Sequence, residues 1–233
     1  MKVAVVTPYY KESDSQLQRC LQSVAKQTHK ATHILVSDGF PRSWGSKLSG
    51  FEQITLPVSH GDAGATPRAI GALSAFSRGY DAVAFLDADN WYEPNHVEKM
   101  IATMHANDAN AVVATRRIYS TDLKELYVDH VESDGKNMVD TNCMFLSRRI
   151  MHIMSAWITE PELKMVSDKV FWQICKGNGI EFVRCVDPTV VYVTKWAWHY
   201  QFAGTHIPDD SVWLVTDENG MNRTITQKDR RKM

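Results

Sequence analysis

The chain has 233 residues, a formal net charge of -1, 44% hydrophobic residues and 23% charged residues. These values are ordinary for a globular protein and exclude a fibrous or largely disordered chain. The balanced charge gives no general attraction for nucleic acid, so no nucleic-acid partner is expected and a phosphate ligand would have to be held by local groups.

The cysteines and the apolar segments indicate the compartment. The four cysteines lie far apart and form no Cys-x-x-Cys pair, which argues against a zinc knuckle or a disulfide framework and favours a reducing cytoplasm. The first apolar run is too short for a signal peptide, and no later run approaches the roughly 18 residues that cross a bilayer. We expect a cytoplasmic protein with at most peripheral membrane contact, for which the basic segment 228–232 is the candidate and a solvated terminus the alternative.

The first half alternates short β-rich runs with segments of helical periodicity, which is typical of a parallel sheet covered by helices. Strands are predicted over residues 3–6, 33–37, 53–56, 82–86 and 111–115. Three helices are predicted from apolar stripes at helical spacing: Leu17, Cys20, Leu21 and Val24; Ala69, Ala72, Leu73 and Phe76; Val97, Met100, Ile101 and Met104. Ser13 and Gln16 suit a capping box for the first helix, Gly79 ends the second and Pro94 opens the third.

The second half is less regular. Its polar stretch 120–140 predicts short antiparallel strands, and residues 143–146 predict another. Two helices are predicted from the stripes Ile150, Ile153, Met154 and Trp157, and Val170, Phe171 and Ile174, the latter ending at the Gly177-Asn178-Gly179 segment. A strand pair over 180–183 and 189–193 is expected to close the domain. No repeat or linker interrupts the chain, which indicates one domain over 1–233.

Asp87-Ala88-Asp89 is the only Asp-x-Asp in the chain, and it directly follows a predicted buried strand. Nucleotide sites in open α/β sheets lie at the carboxyl ends of the strands. Two carboxylates there suit a hard divalent cation that neutralises a nucleoside diphosphate leaving group. The alternative interpretation is a simple turn, which Asp and Asn favour by bonding to their own backbone.

Four segments together resemble glycosyltransferase family 2: VAVVTPYYKE, SVAKQTH, HILVSDG and GATPRAIGALSAFSRGYDAVAFLDADNWYEP. The resemblance runs over most of the chain. It implies the inverting transferases of the GT-A fold, an α/β class with a Rossmann-like mixed central sheet, helices on both faces and an irregular acceptor-side second half. Residues 1–115 would then bind the nucleotide-sugar, and residues 116–233 would hold the acceptor and the C-terminal tail.

The resemblance also implies roles for single residues. Those assigned to the nucleotide-sugar are Thr7, Pro8, Tyr9 and Glu12 around the base and ribose, Asp38 accepting a hydrogen bond from the base, Arg68 near the sugar or phosphates, and Asp87 and Ala88. Asp89 and Asp87 would hold a divalent metal, Mn²⁺ or Mg²⁺, with His199 as a further ligand. The alternative for His199 is a packed histidine. The neighbouring Trp196 and Trp198 suit either a sugar face or the core.

An inverting transfer needs a base that takes the proton from the acceptor hydroxyl. Asp168 is the candidate, because MVSDKVFWQICKGNGIEF resembles the family's acidic pair before a helix that ends in Gly, although Ser167 stands where the family commonly has Glu. A carboxylate that caps the helix is the alternative. Asp140 and Glu162 are spare candidates.

These observations predict a metal-dependent, inverting hexosyltransferase that moves a sugar from a nucleotide-sugar, expected to be a UDP-sugar, to a saccharide or other hydroxyl acceptor in surface polysaccharide or glycan synthesis. Two alternatives remain open. The first is a catalytically silent module of the same fold in a glycan-assembly complex. The second is a sugar-phosphate nucleotidyltransferase, which would need a glycine-rich phosphate loop after the first strand, where segment 7–12 contains no glycine.

Overall fold

The computed structural model describes residues 1–43, 50–217 and 222–232. The elements of the first half are β1 (Val3–Tyr9), α1 (Asp14–Ala25), β2 (Ala31–Asp38), β3 (Phe51–Leu56), α2 (Ala65–Ser77), β4 (Ala82–Phe85), β5 (Trp91–Tyr92), α3 (His96–Ala106) and β6 (Ala111–Tyr119). Those of the second half are β7 (Glu125–Asp129), β8 (Met144–Ser147), α4 (Ser167–Gly177), β9 (Phe182–Val193), α5 (Ala197–Phe202), β10 (Val212–Thr216), β11 (Asn222–Thr226) and α6 (Gln227–Arg230). Short 3-10 helices cover Thr141–Cys143, Arg148–Trp157 and Pro161–Val166.

Within these ranges one nine-stranded sheet has the order β3-β2-β1-β4-β8-β6-β9-β5, with β7 paired to β6. The first four strands of this order are parallel, and β8 runs antiparallel to both of its neighbours. The predicted mixed α/β sheet is therefore confirmed. The chain leaves β1 towards β2 on one side, while β4 lies on the other side, so a crevice opens at the carboxyl ends of β1 and β4.

Helices cover both faces of this sheet. On one face, Leu17 and Leu21 of α1 pack in a cluster with Leu35 of β2. On the other, α2 comes so close that a Cβ on Gly71 would lie 2.4 Å from a methyl of Val6. Neighbouring side chains of a strand point to opposite faces, which is why β2 serves both helices. None of the helices in the described ranges combines the length and apolar character needed to cross a membrane.

The helix boundaries largely follow the predicted signals. The capping box of Ser13 and Gln16 is present at α1, Gly79 follows the end of α2 with a positive φ of 80°, and α3 begins two residues after Pro94. The stripe predicted for α4 is wrong by one position, because its buried apolar residues are Phe171, Trp172 and Cys175.

The strand pair predicted over 180–183 and 189–193 is also wrong, because β9 is one strand from Phe182 to Val193. Pro188 lies within β9, although proline cannot donate a ladder hydrogen bond. In the structure the register between β6 and β9 shifts on both sides of Thr115, which pairs with Pro188, so the irregularity accommodates the proline. The β10–β11 hairpin beyond it was not predicted.

Candidate functional site

Two cavities open along the crevice at the carboxyl ends of β1 and β4. The N-side cavity, of about 460 Å³, is lined by Pro8, Tyr9, Glu12, Asp38, Arg68, Asp87, Ala88 and Asp89, among others. The C-side cavity, of about 530 Å³, includes Arg116, Glu132, Asp140, Asp168, Trp198 and His199 in its wall. Ala63, Arg68 and Asp87 belong to both walls, so the two cavities meet at these residues.

Thr7 is the one residue of the predicted nucleotide-sugar set that does not line the N-side cavity. Its side chain is fully buried, and its hydroxyl lies 2.8 Å from the Nε2 atom of His33. Burial lowers the pKa of His33 to about 3, so this ring is neutral and belongs to the interior of the sheet. The side chain of Thr7 therefore packs in the protein interior and does not line the cavity.

Asp38 reaches the wall of the N-side cavity from the end of β2. Its carboxylate accepts hydrogen bonds from the hydroxyl of Ser59 (3.0 Å), the backbone N–H of His60 (2.9 Å) and the His60 ring (2.9 Å). Burial raises the pKa of Asp38, but the bonds from His60 and Ser59 outweigh that effect and lower it. Asp38 is thus ionised and tied to the segment that follows β3.

The rim of the N-side cavity is built from the segments that follow β1 and β2. Glu12 accepts a hydrogen bond of 2.7 Å from the backbone N–H of Tyr10, and the hydroxyl of Tyr9 accepts one of 3.2 Å from the backbone N–H of Arg42. The rings of Tyr10 and Phe40 meet edge to face with centroids 4.6 Å apart. These contacts hold the two segments together beside the cavity.

Asp87 occupies the junction of the two cavities and is held on both carboxylate oxygens. Its Oδ1 atom accepts a hydrogen bond from Arg68 of α2, and its Oδ2 atom accepts one of 2.9 Å from the side-chain amide of Asn142. Arg68 also donates to the carbonyl of Ala63 at 2.9 Å. Asp87 is therefore charge-compensated and fixed in orientation.

Asp89 differs from Asp87 in its electrostatic surroundings. Burial, followed by the nearby charges of Asp87 and Glu12, raises its pKa to about 7, against a smaller lowering by Lys195. Arg19 donates to the backbone carbonyl of Asp89 at 2.8 Å, whereas the carboxylate forms no ion pair with any residue in the described ranges. Within the described ranges, Asp89 is thus a carboxylate without an ion-pair partner.

The residues proposed as metal ligands do not form a three-membered group. Across residues 1–43, 50–217 and 222–232, no three His, Cys, Asp or Glu side chains are arranged to hold a metal ion. The Nε2 atom of His199 lies 2.8 Å from Glu132, and its Nδ1 atom lies 2.6 Å from the hydroxyl of Thr194, so both ring nitrogens are engaged. Asp87 and Asp89 still fit a divalent cation, because two adjacent carboxylates with one uncompensated charge suit a hard, oxygen-preferring ion.

A buried ion network forms part of the C-side cavity and was not predicted. The guanidinium of Arg116 donates to Asp129, Glu132 and Asp140, each at 2.8 Å, with its side chain 2% exposed. Burial alone would lower the pKa of Arg116, but the carboxylates, led by Asp140, raise it above its usual value. No sequence pattern indicates this network, because its acids are scattered through the polar stretch 120–140.

Asp168 lies in the first turn of α4 and faces the C-side cavity. Burial, and then the charge of Asp140, raise the pKa of Asp168 to about 6. Helix α4 begins after Val166 without a side-chain cap at that position, and Asp168 accepts a hydrogen bond of 2.8 Å from the adjacent N–H of Lys169. Its position in the first turn also complements the helix dipole. Of the spare candidates, Asp140 is engaged by Arg116, and Glu162 is exposed.

Trp196 and Trp198 stack on each other in the wall of the C-side cavity, with ring centroids 4.4 Å apart and an interplanar angle of 21°. They do not share the face of a strand, because α5 begins between them at Ala197. The indole N–H of Trp196 donates to the hydroxyl of Tyr192 at 3.1 Å. Both tryptophans are half-buried.

Solved structures with the same fold include S. aureus TarS. A TarS 1-349 complex with UDP-GlcNAc matches with a TM-score of 0.64 at 16% identity, covering 83% of this chain and 59% of that chain. A complex with UDP matches with a TM-score of 0.62 at 14% identity, covering 87% of this chain and 63% of that one. The predicted GT-A type fold is therefore confirmed.

Two curated relatives match part of the chain. The succinoglycan biosynthesis protein ExoW of Rhizobium meliloti is 34% identical over 122 residues, which are 49% of this chain and 37% of ExoW. The glycosyltransferase GlyA of Streptococcus pneumoniae is 28% identical over 139 residues, which are 58% of this chain and 19% of GlyA. The chain thus spans less than half the length of either relative. The sequence model of the family described as "Glycosyl transferase family 2" matches residues 4–158, well over half of the chain. The chain therefore belongs to this family.

Proposed function

We propose that the chain transfers a sugar from a nucleotide-sugar to a hydroxyl acceptor with inversion at the anomeric carbon. The observation that carries this proposal is the meeting of the two cavities at Arg68 and Asp87. A donor in the N-side cavity would have its sugar at that junction. An acceptor in the C-side cavity would then reach the anomeric carbon from the side on which Asp168 lies.

Donor binding is assigned to the side chains of the N-side cavity. Tyr9 at the end of β1, Glu12 in the segment that follows it, and Asp38 at the end of β2 surround the space for the nucleoside. Arg68 supplies a positive charge at the junction, where the diphosphate would lie. UDP is the proposed nucleotide, since TarS of the same fold has been captured with UDP and UDP-GlcNAc.

Metal dependence is part of the proposal. Asp89, together with Asp87, would hold a Mn²⁺ or Mg²⁺ ion, which when bound neutralises the charge that develops on the nucleoside diphosphate as it leaves. Asp89 is the stronger ligand candidate of the two because its carboxylate has no ion-pair partner in the described parts of the chain. His199 is left out of the proposed ligand set because Glu132 and Thr194 engage its ring.

Asp168 is the proposed general base. As the acceptor oxygen bonds to the anomeric carbon, Asp168 takes the hydroxyl proton and the bond from that carbon to the nucleoside diphosphate breaks. A pKa of about 6 leaves the carboxylate ionised near neutral pH and close to the operating range of an effective base. The name of ExoW supports a role in polysaccharide synthesis, and the stacked tryptophans suit a saccharide acceptor.

The test is turnover of nucleotide-sugars. Purified protein is incubated with Mn²⁺ and a panel of UDP- and other nucleotide-sugars, and release of the nucleoside diphosphate is measured with and without saccharide acceptors. Asp168→Asn should lower turnover by about 10²–10⁴-fold while the protein still binds UDP in a thermal-shift assay. Glu162→Gln is the matched control, because this exposed carboxylate lies outside both cavities, and it should keep wild-type turnover.

Three outcomes separate the possibilities. Turnover that needs Mn²⁺ and Asp168 supports the transferase. Binding of nucleotide-sugars with no turnover under any condition would favour the silent module instead. If no nucleotide or nucleotide-sugar stabilises the protein, the N-side cavity is not a donor site and the proposal fails.

A further inference from the structure

We infer that Asn142 is a positioning residue that fixes the carboxylate of Asp87, and that the buried network of Arg116 holds Asn142 in place. The inference rests on the proposed function, in which Asp87 faces the donor. It links the second half of the chain directly to the donor site formed by the first half.

Asn142 is 1% exposed and uses its whole side-chain amide near Asp87. Its Nδ2 atom donates to Oδ2 of Asp87 at 2.9 Å and to Oδ1 of Asp140 at 3.0 Å. Its Oδ1 atom accepts the backbone N–H of Asp87 at 2.6 Å. Asn142 thus holds Asp87 by side chain and backbone at once, which fixes the direction of the carboxylate.

The sheet explains why these two residues meet. Strands β4 and β8 pair antiparallel, with Ala84 opposite Phe145. Asp87 follows the end of β4 by two residues, and Asn142 lies in the 3-10 helix Thr141–Cys143 that leads directly into β8. The pairing of β4 with β8 therefore brings the two residues to the same end of this strand pair.

Asn142 is itself held by the buried ion network. Asp140 accepts the backbone N–H of Asn142 at 2.9 Å and pairs with Arg116 at 2.8 Å. Arg116 is anchored in turn by Asp129 at 2.8 Å, so the support reaches back to strands β6 and β7. Rotation of the Asn142 side chain would break bonds to two carboxylates, and the network opposes it.

Together with Arg68, Asn142 leaves Asp87 little freedom. Arg68 binds one carboxylate oxygen and Asn142 binds the other. An ionised carboxylate offers about four acceptor positions. Asp87 can therefore still bind a group in the cavity, but only in the directions that Arg68 and Asn142 leave open. Groups that orient a ligand in this way affect affinity when they are removed.

The experiment measures the affinity for UDP in the presence of Mn²⁺ by isothermal titration calorimetry, using the full chain. Asn142→Ala should weaken this affinity at least about 10-fold. Asn142→Asp keeps the size of the side chain but replaces the donating nitrogen with an oxygen between two carboxylates, and it should weaken the affinity at least as much. Thermal unfolding of each variant shows whether it is folded at the titration temperature.

Thr189→Val is the matched structural control. Thr189 is 3% exposed and forms a buried hydrogen bond of 2.8 Å with His96, and it lies in neither cavity wall. This variant should lose stability and keep the wild-type affinity for UDP. If Asn142→Ala does not fold, Asn142→Asp provides the test because its size is unchanged.

The outcomes distinguish the inference from the proposed function. If wild-type protein does not bind UDP with Mn²⁺, the proposed function fails and the inference falls with it. If wild-type protein binds and both folded Asn142 variants stay within about 2-fold of it, the inference alone is overturned. A lower unfolding temperature with unchanged affinity, as expected for the Thr189 control, would likewise show that Asn142 is merely structural.

Discussion

Substitution of Asp89 with Asn should stabilise the metal-free protein at alkaline pH while abolishing its response to the metal. In the folded protein, burial and the charges of Asp87 and Glu12 raise the pKa of Asp89 to about 7, compared with about 3.9 in an unfolded chain. Keeping this carboxylate ionised at pH 8 therefore costs free energy in the native state. Asparagine has a similar size and no charge, so it removes the cost.

The raised pKa of Asp89 determines the size and the sign of the expected change in stability. A pKa of about 7 against an ordinary 3.8 corresponds to at most about 4 kcal/mol, and since Asp89 lines an open cavity that admits water, about 2 kcal/mol is expected. Because the pKa is raised, the contribution of Asp89 to stability is fully present below about pH 4 and is lost as the pH rises through about 7. The advantage of Asp89→Asn should thus be largest at pH 8, become smaller as the pH falls and disappear only below about pH 4.

Thermal unfolding in the presence of a chelator is the assay. At pH 8 the variant should melt about 4–8 °C above the wild type, from about 2–4 °C per kcal/mol for a domain of this size. Addition of Mn²⁺ and UDP should raise the melting temperature of the wild type and not that of the variant. Asp108→Asn is the control, because this side chain is 87% exposed. A variant that is less stable than the wild type at pH 8, or an advantage that grows towards pH 5, would refute the reasoning.

Three further predictions concern the base, the ion network and the sheet. The turnover rate should fall as the pH drops through about 6, where Asp168 takes up a proton; a rate that is constant from pH 7.5 to pH 5 would exclude it as the base. Arg116→Met should lower the free energy of unfolding by about 3–5 kcal/mol, because it leaves buried carboxylates unpaired. The control Arg117→Met, at a side chain 33% exposed, should change this free energy by less than about 1 kcal/mol. Denaturant titration at pH 7 measures both variants, and equal effects would contradict the role of the network. Gly71→Ala should lower the free energy of unfolding by about 1–3 kcal/mol, since its new methyl would meet two valines of the sheet. The control Gly177→Ala, whose methyl would meet nothing within 4 Å, should be neutral in the same titration. A neutral Gly71→Ala would show that α2 shifts freely.

The sequence predicted the first half of the fold well because its signals are local. Apolar stripes, the capping box at Ser13 and the glycine after α2 each act within one element and are readable from neighbouring residues. The carboxyl ends of parallel strands share one edge of the sheet, which is why Asp38 and Asp87, although far apart in sequence, could be expected in one cavity. Thr7 failed to reach that cavity because its side chain points into the sheet instead, where it meets His33.

The features that the sequence did not reveal depend on contacts between distant segments. The insertion of β8 between β4 and β6 cannot be read from local periodicity, because an apolar run does not specify its partners. The meeting of Asn142 with Asp87 follows from that insertion and was missed with it. The Arg116 network requires the polar stretch 120–140 to fold back on β6, and no pattern within that stretch indicates which of its acids become buried.

The structure also separates the two carboxylates of the Asp-x-Asp motif, which the pattern alone treats as equivalent. Asp87 already has a cationic partner in Arg68 and an amide partner in Asn142, so its carboxylate is suited to orient a group at the junction of the cavities. Asp89 has neither among the described residues, and burial, followed by the charge of Asp87, raises its pKa to about 7. Because no described residue forms an ion pair with Asp89, whereas Arg68 pairs with Asp87, a divalent cation would stabilise the site most where it contacts Asp89. Loss of Asp89 should therefore impair metal-supported binding more than loss of any other single carboxylate in the two cavities.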